Sequence, residues 1–179
     1  IEDREEVIMT KTTKLVFVST LLSLAAGAYA VAPRPMLKLM QMTGKLQVTM
    51  ARIQDFPNGE LRFIPSGSQV KVKSGEAWFE SSGHAIVRVK EGDAFIFSVS
   101  DSADGESPRI QAVGNSGTSV DVYVGSMKFL LRDSGAVAIC PWGEGKAKVK
   151  VAGGNVLLAP GSLLKAGESL SVDLRGRSK

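Results

Sequence analysis

One histidine and one cysteine in 179 residues leave this chain little from which to build a metal centre or a nucleophilic dyad. A structural zinc site takes three or four His, Cys or carboxylate ligands, and the common metal-binding β-barrels use several imidazoles. No cofactor is expected. A single cysteine, Cys140, also excludes an intramolecular disulfide. Cys140 ends the apolar run "GAVAICPW", so it is expected to be buried, and a buried thiol is a poor nucleophile for a dyad with His84. The G-x-S-x-G turn of serine hydrolases is missing, as is the α/β context it requires. Glu76 and Glu80 stand four residues apart in an extended segment. That separates them by about 13 Å along a strand, too far to act on one bond. They are read as solvated charges that deter edge pairing. These shortages argue against an enzyme.

Charge is equally unspecific. The chain carries 22 basic and 18 acidic residues, scattered except for "KAKVK", which places Lys146, Lys148 and Lys150 on one solvated strand face. No aromatic stacking platform adjoins them, and nucleic acid is not expected as a partner. Also missing is any helical stripe of ten or more apolar-spaced residues beyond the N-terminal segment, apart from a turn or two around Pro35 to Met42.

The N-terminal segment does have a pattern. "KTTKLVFVSTLLSLAAGAYA" starts with Lys11 and Lys14, continues with an apolar stretch from Leu15 to Ala26, and ends in Ala28-Tyr29-Ala30. This is the layout of a helical signal peptide cut after Ala30. The apolar stretch is short for a retained span, which needs about 20 residues. The acidic "IEDREEVI" ahead of it reads as over-extended translation, with Met9 as the start. Cleavage leaves 19 basic against 14 acidic residues, a periplasmic or secreted chain of net charge +5 with no stable membrane span.

After the signal segment, residues 31–43 read as an extended leader, with Pro33 and Pro35 opposing regular structure. Residues 44–174 read as one β domain, and residues 175–179 as a disordered tail. Alternating apolar residues broken by glycine run through the domain. "KLQVTMARIQDF" and "ELRFIP" flank Asn58-Gly59, a tight-turn pair, and predict a hairpin. "SQVKVKSG", "EAWFES", "HAIVRVKEGD" and "AFIFSVS" follow as strands. Ile86, out of step with Val87 and Val89, requires either a strand covered on both faces or a bulge. "DSADGESP" at 101–108 is the longest expected loop. Strands recurring every eight to twelve residues or so predict an all-β sandwich or jelly-roll-like stack of short antiparallel strands.

Residues 70–83, 120–135 and 149–161 share one plan of alternating valines, a glycine, an apolar strand and a second glycine. Stacked hairpin repeats would produce it, and so would any β protein punctuated by glycine. The order of elements, with Gly92-Asp93, Gly117-Thr118 followed by "SVDVYV", and Pro160-Gly161, resembles the periplasmic FecR-type sensor domain over roughly Gly44 to Leu174. Ser119 replaces that family's aromatic after its Gly-Thr. The cytoplasmic sigma-factor-binding segment and retained membrane helix of the family have no counterpart here. The resemblance implies a stack of short strands used for protein or ligand binding in the cell envelope.

The expected function is therefore an exported, non-catalytic binding module that docks an envelope protein or glycan, by edge pairing or through the 101–108 loop. A structural or adhesive envelope subunit is the alternative, and a polysaccharide-active enzyme a distant third. Trp78 and Phe79, adjacent in one strand, must face opposite ways. Whichever avoids the core is the preferred contact, ahead of His84, the chain's single imidazole.

Overall fold

The computed structural model describes residues 36–50, 53–57, 63–81, 85–102, 105–114 and 117–175. The signal segment, the Asn58-Gly59 turn, His84 and residues 176–179 lie outside the described residues. Twelve strands form a single antiparallel sheet system: β1 (Leu37–Thr49), β2 (Ile53–Pro57), β3 (Phe63–Ile64), β4 (Ser68–Ser81), β5 (Ala85–Lys90), β6 (Ala94–Ser102), β7 (Gly105–Val113), β8 (Ser119–Val124), β9 (Met127–Pro141), β10 (Lys146–Leu158), β11 (Ser162–Leu164) and β12 (Ser169–Asp173). Among the described residues there is no helix.

The expected all-β antiparallel class is what forms, and it closes on itself. β4 pairs with β5, β5 with β8, β8 with β9, β9 with β7, β7 with β6, and β6 returns to β4. A closed ring of six strands removes the unpaired edges that an open stack would present.

Four strands are much longer than expected, because glycines read as turns lie in the middle of continuous strands. "SQVKVKSG" and "EAWFES" are one strand, β4, and "MKFLL" and "AVAIC" are one strand, β9. β4 gives its first half to β6 and its second half to β5. β9 likewise gives its first half to β8 and its second to β7. β1 runs along β4, and β10 along β9, through both halves. The barrel therefore has two faces, one built on β5 and β8, the other on β6 and β7, with these long strands bending from one to the other.

At the bends of β4 and β10 the alternation changes phase, whereas in β9 Phe129 and Leu131 before the bend and Val137 and Ile139 after it stay in step. In β4, Val70 and Val72 point inward before the bend, and Ala77 and Phe79 after it. The switch from even to odd numbers is a bulge: Lys45 pairs with Ser74 and Leu46 with Val72, which leaves Lys73 without an opposite number. Gly75 follows at φ +78°, opposite Gly44 at φ +83°. Corresponding register shifts in β10 flank Gly153, opposite the bend of β9.

Several local expectations change accordingly. The β6–β7 ladder runs into the 101–108 segment expected as a loop, as far as the pairing of Ser102 with Gly105. Thr49 pairs with Ile53, so β2 runs back along β1, and the turn expected at Asn58-Gly59 lies outside the described residues. Phe63 then pairs with Lys38 instead of returning along β2. Leu37–Thr43, expected as leader or helical turn, is the first half of β1. Ile86 needs no bulge; β5 is in continuous register on both sides, with Ile86 half-buried on the outer face. The three similar segments are not equivalent units. The middle one is a hairpin turning at Gly125, and the other two are single bent strands. Arg175, placed in the expected tail, is held by its N–H to Asp173 Oδ1 (2.9 Å) and by its guanidinium to the Glu144 carbonyl (3.0 Å).

The interior is filled by valines from all the long strands and by Phe79, Phe95, Phe97 and Phe129, each fully buried. Phe79 and Phe95 meet edge to face with centroids 5.4 Å apart.

Candidate functional site

Phe79 and Trp78 do face opposite ways. Phe79 is packed in the barrel core and is inaccessible to a partner. Trp78 lies half-buried on the outer side of the β5–β8 face. His84 lies outside the described residues, so Trp78 is the sequence-derived candidate whose surroundings the structure describes.

Alternation places Glu76, Trp78 and Glu80 outward on β4, Arg88 on β5, and Asp121 and Tyr123 on β8. Cross-strand register brings them together, with Trp78 opposite Arg88 and Arg88 opposite Asp121. Lys128 on β9 lies opposite Tyr123. Cations and rings interleave. The Arg88 guanidinium sits 4.9 Å from the Trp78 ring centroid, and the Lys128 ammonium 5.5 Å from that of Tyr123. The two rings stack at 6.0 Å with their planes 22° apart.

Carboxylates fix the cations in place. Glu76 Oε2 accepts from Arg88 Nη2 at 2.7 Å and from Nε at 3.1 Å, while Glu76 Oε1 accepts from the Trp78 indole N–H at 3.1 Å. The hydrogen bonds from these two partners, Arg88 first, hold the Glu76 carboxyl below its ordinary value, and the bonding to Glu76 raises Arg88 further. Asp121, almost fully buried, accepts from Lys128 Nζ at 3.0 Å and from the Tyr123 hydroxyl at 3.4 Å. The bond to Asp121 raises Lys128. Glu76 is therefore a positioning group on an interior strand, not an edge charge.

Met40 extends this surface toward β1. It is the extra residue between Leu39, which pairs with Phe79, and Gln41, which pairs with Trp78, and it is 53% exposed. Bulges re-aim side chains in this way.

Sequence reasoning found Trp78 and missed Arg88, Tyr123, Asp121 and Lys128. The alternation in "HAIVRVKEGD" and "SVDVYV" does mark Arg88, Asp121 and Tyr123 as outward. Nothing local says that β5 lies between β4 and β8. Among the described residues, no group of three or more His, Cys, Asp or Glu is placed to hold a metal ion.

The fold and this face define a closed antiparallel β-barrel with an ordered aromatic and ionic outer surface. Comparison with protein-family models, curated proteins and solved structures finds no match.

Proposed function

We propose that the chain is an exported, non-catalytic binding module of the cell envelope, related in plan to the FecR sensor domain, and that it docks a protein partner through the Trp78–Arg88–Tyr123 face. The observation that carries this reading is the interleaving of Trp, Tyr and Arg on one rigid surface. These three residue types dominate the energetics of protein interfaces. Here hydrogen bonds and neighbouring strands already restrict their side chains, which lowers the entropy lost on binding. Met40 adds an adaptable apolar contact at the rim. Edge pairing is a weaker means of docking for this chain, because the outer strands β2, β3, β11 and β12 have only two to five residues.

The test is a pull-down of the domain from envelope extract of the source cells, with size-exclusion at two concentrations. A partner held by the native domain and by Lys146→Ala, but lost with Trp78→Ala or Tyr123→Ala, supports the reading. A captured glycan with the same sensitivity keeps the face and changes the partner. Capture indifferent to both aromatic substitutions overturns the proposal, and concentration-dependent self-assembly would make the chain a structural subunit.

A further inference from the structure

The barrel's other outer face, on β6, β7, β9, β10 and β12, carries a second feature. Its register lines up Ser98, Arg109, Ala138, Lys150 and Ser169 across five strands. In the neighbouring row, Ser100 lies opposite Ser107, Ser107 Oγ donates to Cys140 Sγ at 3.1 Å, and Cys140 lies opposite Lys148. Small side chains occupy the middle of both rows; Arg109 and Lys150 flank the first, and Lys148 borders the second. Ala138 between Arg109 and Lys150 leaves a depression, and the result is an open cleft of about 390 Å³. A second cleft of about 310 Å³ shares its Cys140 wall and is lined by Pro141, Trp142 and Lys148.

The charge in these clefts is uncompensated. Among the described residues no acidic side chain lines either one. Among the described residues neither Arg109, Lys148 nor Lys150 has an ion-pair partner. Arg109 is the extreme case. Among the described residues its buried Nε has no acceptor, and its one hydrogen bond, from Nη2 to Gln111 Oε1, is a long 3.5 Å. Two acidic groups on the adjoining β10–β12 segments are engaged elsewhere. Glu168 accepts from the Lys165 N–H at 2.8 Å, and Asp173 accepts from the Arg175 N–H. A guanidinium has five donors in a planar fork suited to oxyanions, and withdrawing it from water without a counter-charge is costly. Trp142, 54% exposed with the Lys148 ammonium 5.9 Å from its ring centroid, supplies a flat surface beside the same thiol.

We infer that this face is a binding site for a small oxyanion carried on a ring. The anionic head sits between Arg109 and Lys150, and the ring lies toward Trp142. Ser100 provides a hydroxyl at the head position, and Cys140, which accepts from the Ser107 hydroxyl, lies between the two subsites. The site does not depend on the Trp78 face, and substitutions in one leave the other's assay intact.

Cys140 is a built-in reporter. Its thiolate attacks the aryl disulfide Ellman's reagent, breaking the S–S bond, forming a mixed disulfide and releasing one coloured thiolate. The rate is measured on the folded domain at fixed ionic strength with added chloride, inorganic phosphate or phenyl phosphate. Both phosphates slow modification beyond chloride, and phenyl phosphate does so at roughly tenfold lower concentration. Arg109→Gln weakens the protection by about tenfold, the loss expected for a charge-assisted pair. Arg109→Lys keeps the charge, loses the fork and falls between. Lys150→Gln weakens protection should Arg109→Gln fail to fold. Trp142→Ala removes only the advantage of the phenyl group, and Lys146→Gln changes nothing. Equal protection by the two phosphates overturns the ring subsite. Protection no greater than that of chloride, or equal in Arg109→Gln, Lys150→Gln and the native domain, overturns the site.

Discussion

Replacing Gly75 by alanine tests whether the bend of β4 is fixed by backbone contact. Gly75 lies opposite Gly44, both with left-handed backbones. An alanine at 75 meets two costs. The left-handed conformation costs an L-residue about 1–2 kcal/mol. Its Cβ would also be driven into the Thr43 carbonyl oxygen, with Thr43 Oγ1 only 2.8 Å away. That hydroxyl is not free to retreat, since it accepts from the Glu76 N–H at 3.2 Å. Overpacking of this kind adds about 1–3 kcal/mol. Gly67 isolates the first cost, because its φ is +86° and no atom lies within 4 Å of a Cβ built there. Gly67→Ala should therefore lose about 1–2 kcal/mol and Gly75→Ala about 2–5 kcal/mol. Urea unfolding at unchanged slope measures both, and each kcal/mol corresponds to roughly 2–4 °C in Tm for a chain of this size. Asparagine, which tolerates the left-handed region, should recover stability at 67 and not at 75. If Gly75→Ala costs no more than Gly67→Ala, the bend owes nothing to the close approach of β1 and the argument fails.

Neighbouring residues of β4 should respond differently to truncation. Phe79→Ala should cost about 3–5 kcal/mol in chemical denaturation, and Trp78→Ala clearly less, because one empties a core position and the other uncovers a surface. The Glu76 carboxyl is held below its unfolded value, so its contribution is present above that value and lost as pH falls through the folded one. Glu76→Gln should accordingly be less stable than the native chain near neutrality and converge with it in acid, as followed by Tm against pH. Asp93 is opposite in sign: desolvation raises it, despite the hydrogen bond it accepts from the Ser119 N–H at 3.1 Å. Its favourable contribution is present at low pH and lost as pH rises through the raised value. Asp93→Asn keeps an acceptor for Ser119 and should gain stability relative to the native chain as pH rises toward neutrality.

The β class was legible because a two-residue alternation survives in almost every segment, as in Val87 and Val89 or Val120, Val122 and Val124. What could not be read was where an alternation changes phase without ending. Lys73 and Met40 are ordinary residues that become bulges only because a partner strand skips them. Glycines 75 and 153 look like turn residues when the opposing strand is out of view. The sequence between Thr49 and Ile53, which pair with each other, has no glycine or asparagine to announce a reversal. Cys140 shows the same limit from another side: its apolar neighbours imply burial, yet Ile139 takes the core position and Cys140 is left half-buried on the outer face. Trp78 was found because adjacent residues in a strand must diverge. The groups that order it come from β5, β8 and β9, and their neighbourhood exists only once the ring closes.

Ring closure also governs how quickly the molecule is made and lost. The β5–β8 and β7–β9 ladders join residues about twenty-five to forty positions apart, so closure must wait for long segments to be brought together, and folding belongs on the millisecond-to-second scale. The same seams give durability. An open sheet can fray from its outermost strand, whereas here any strand of the ring that departs leaves two rows of amide groups unpaired at once. Loss then has no cheap first step, and the lifetime of the folded domain against proteolysis is set by its unfolding rate.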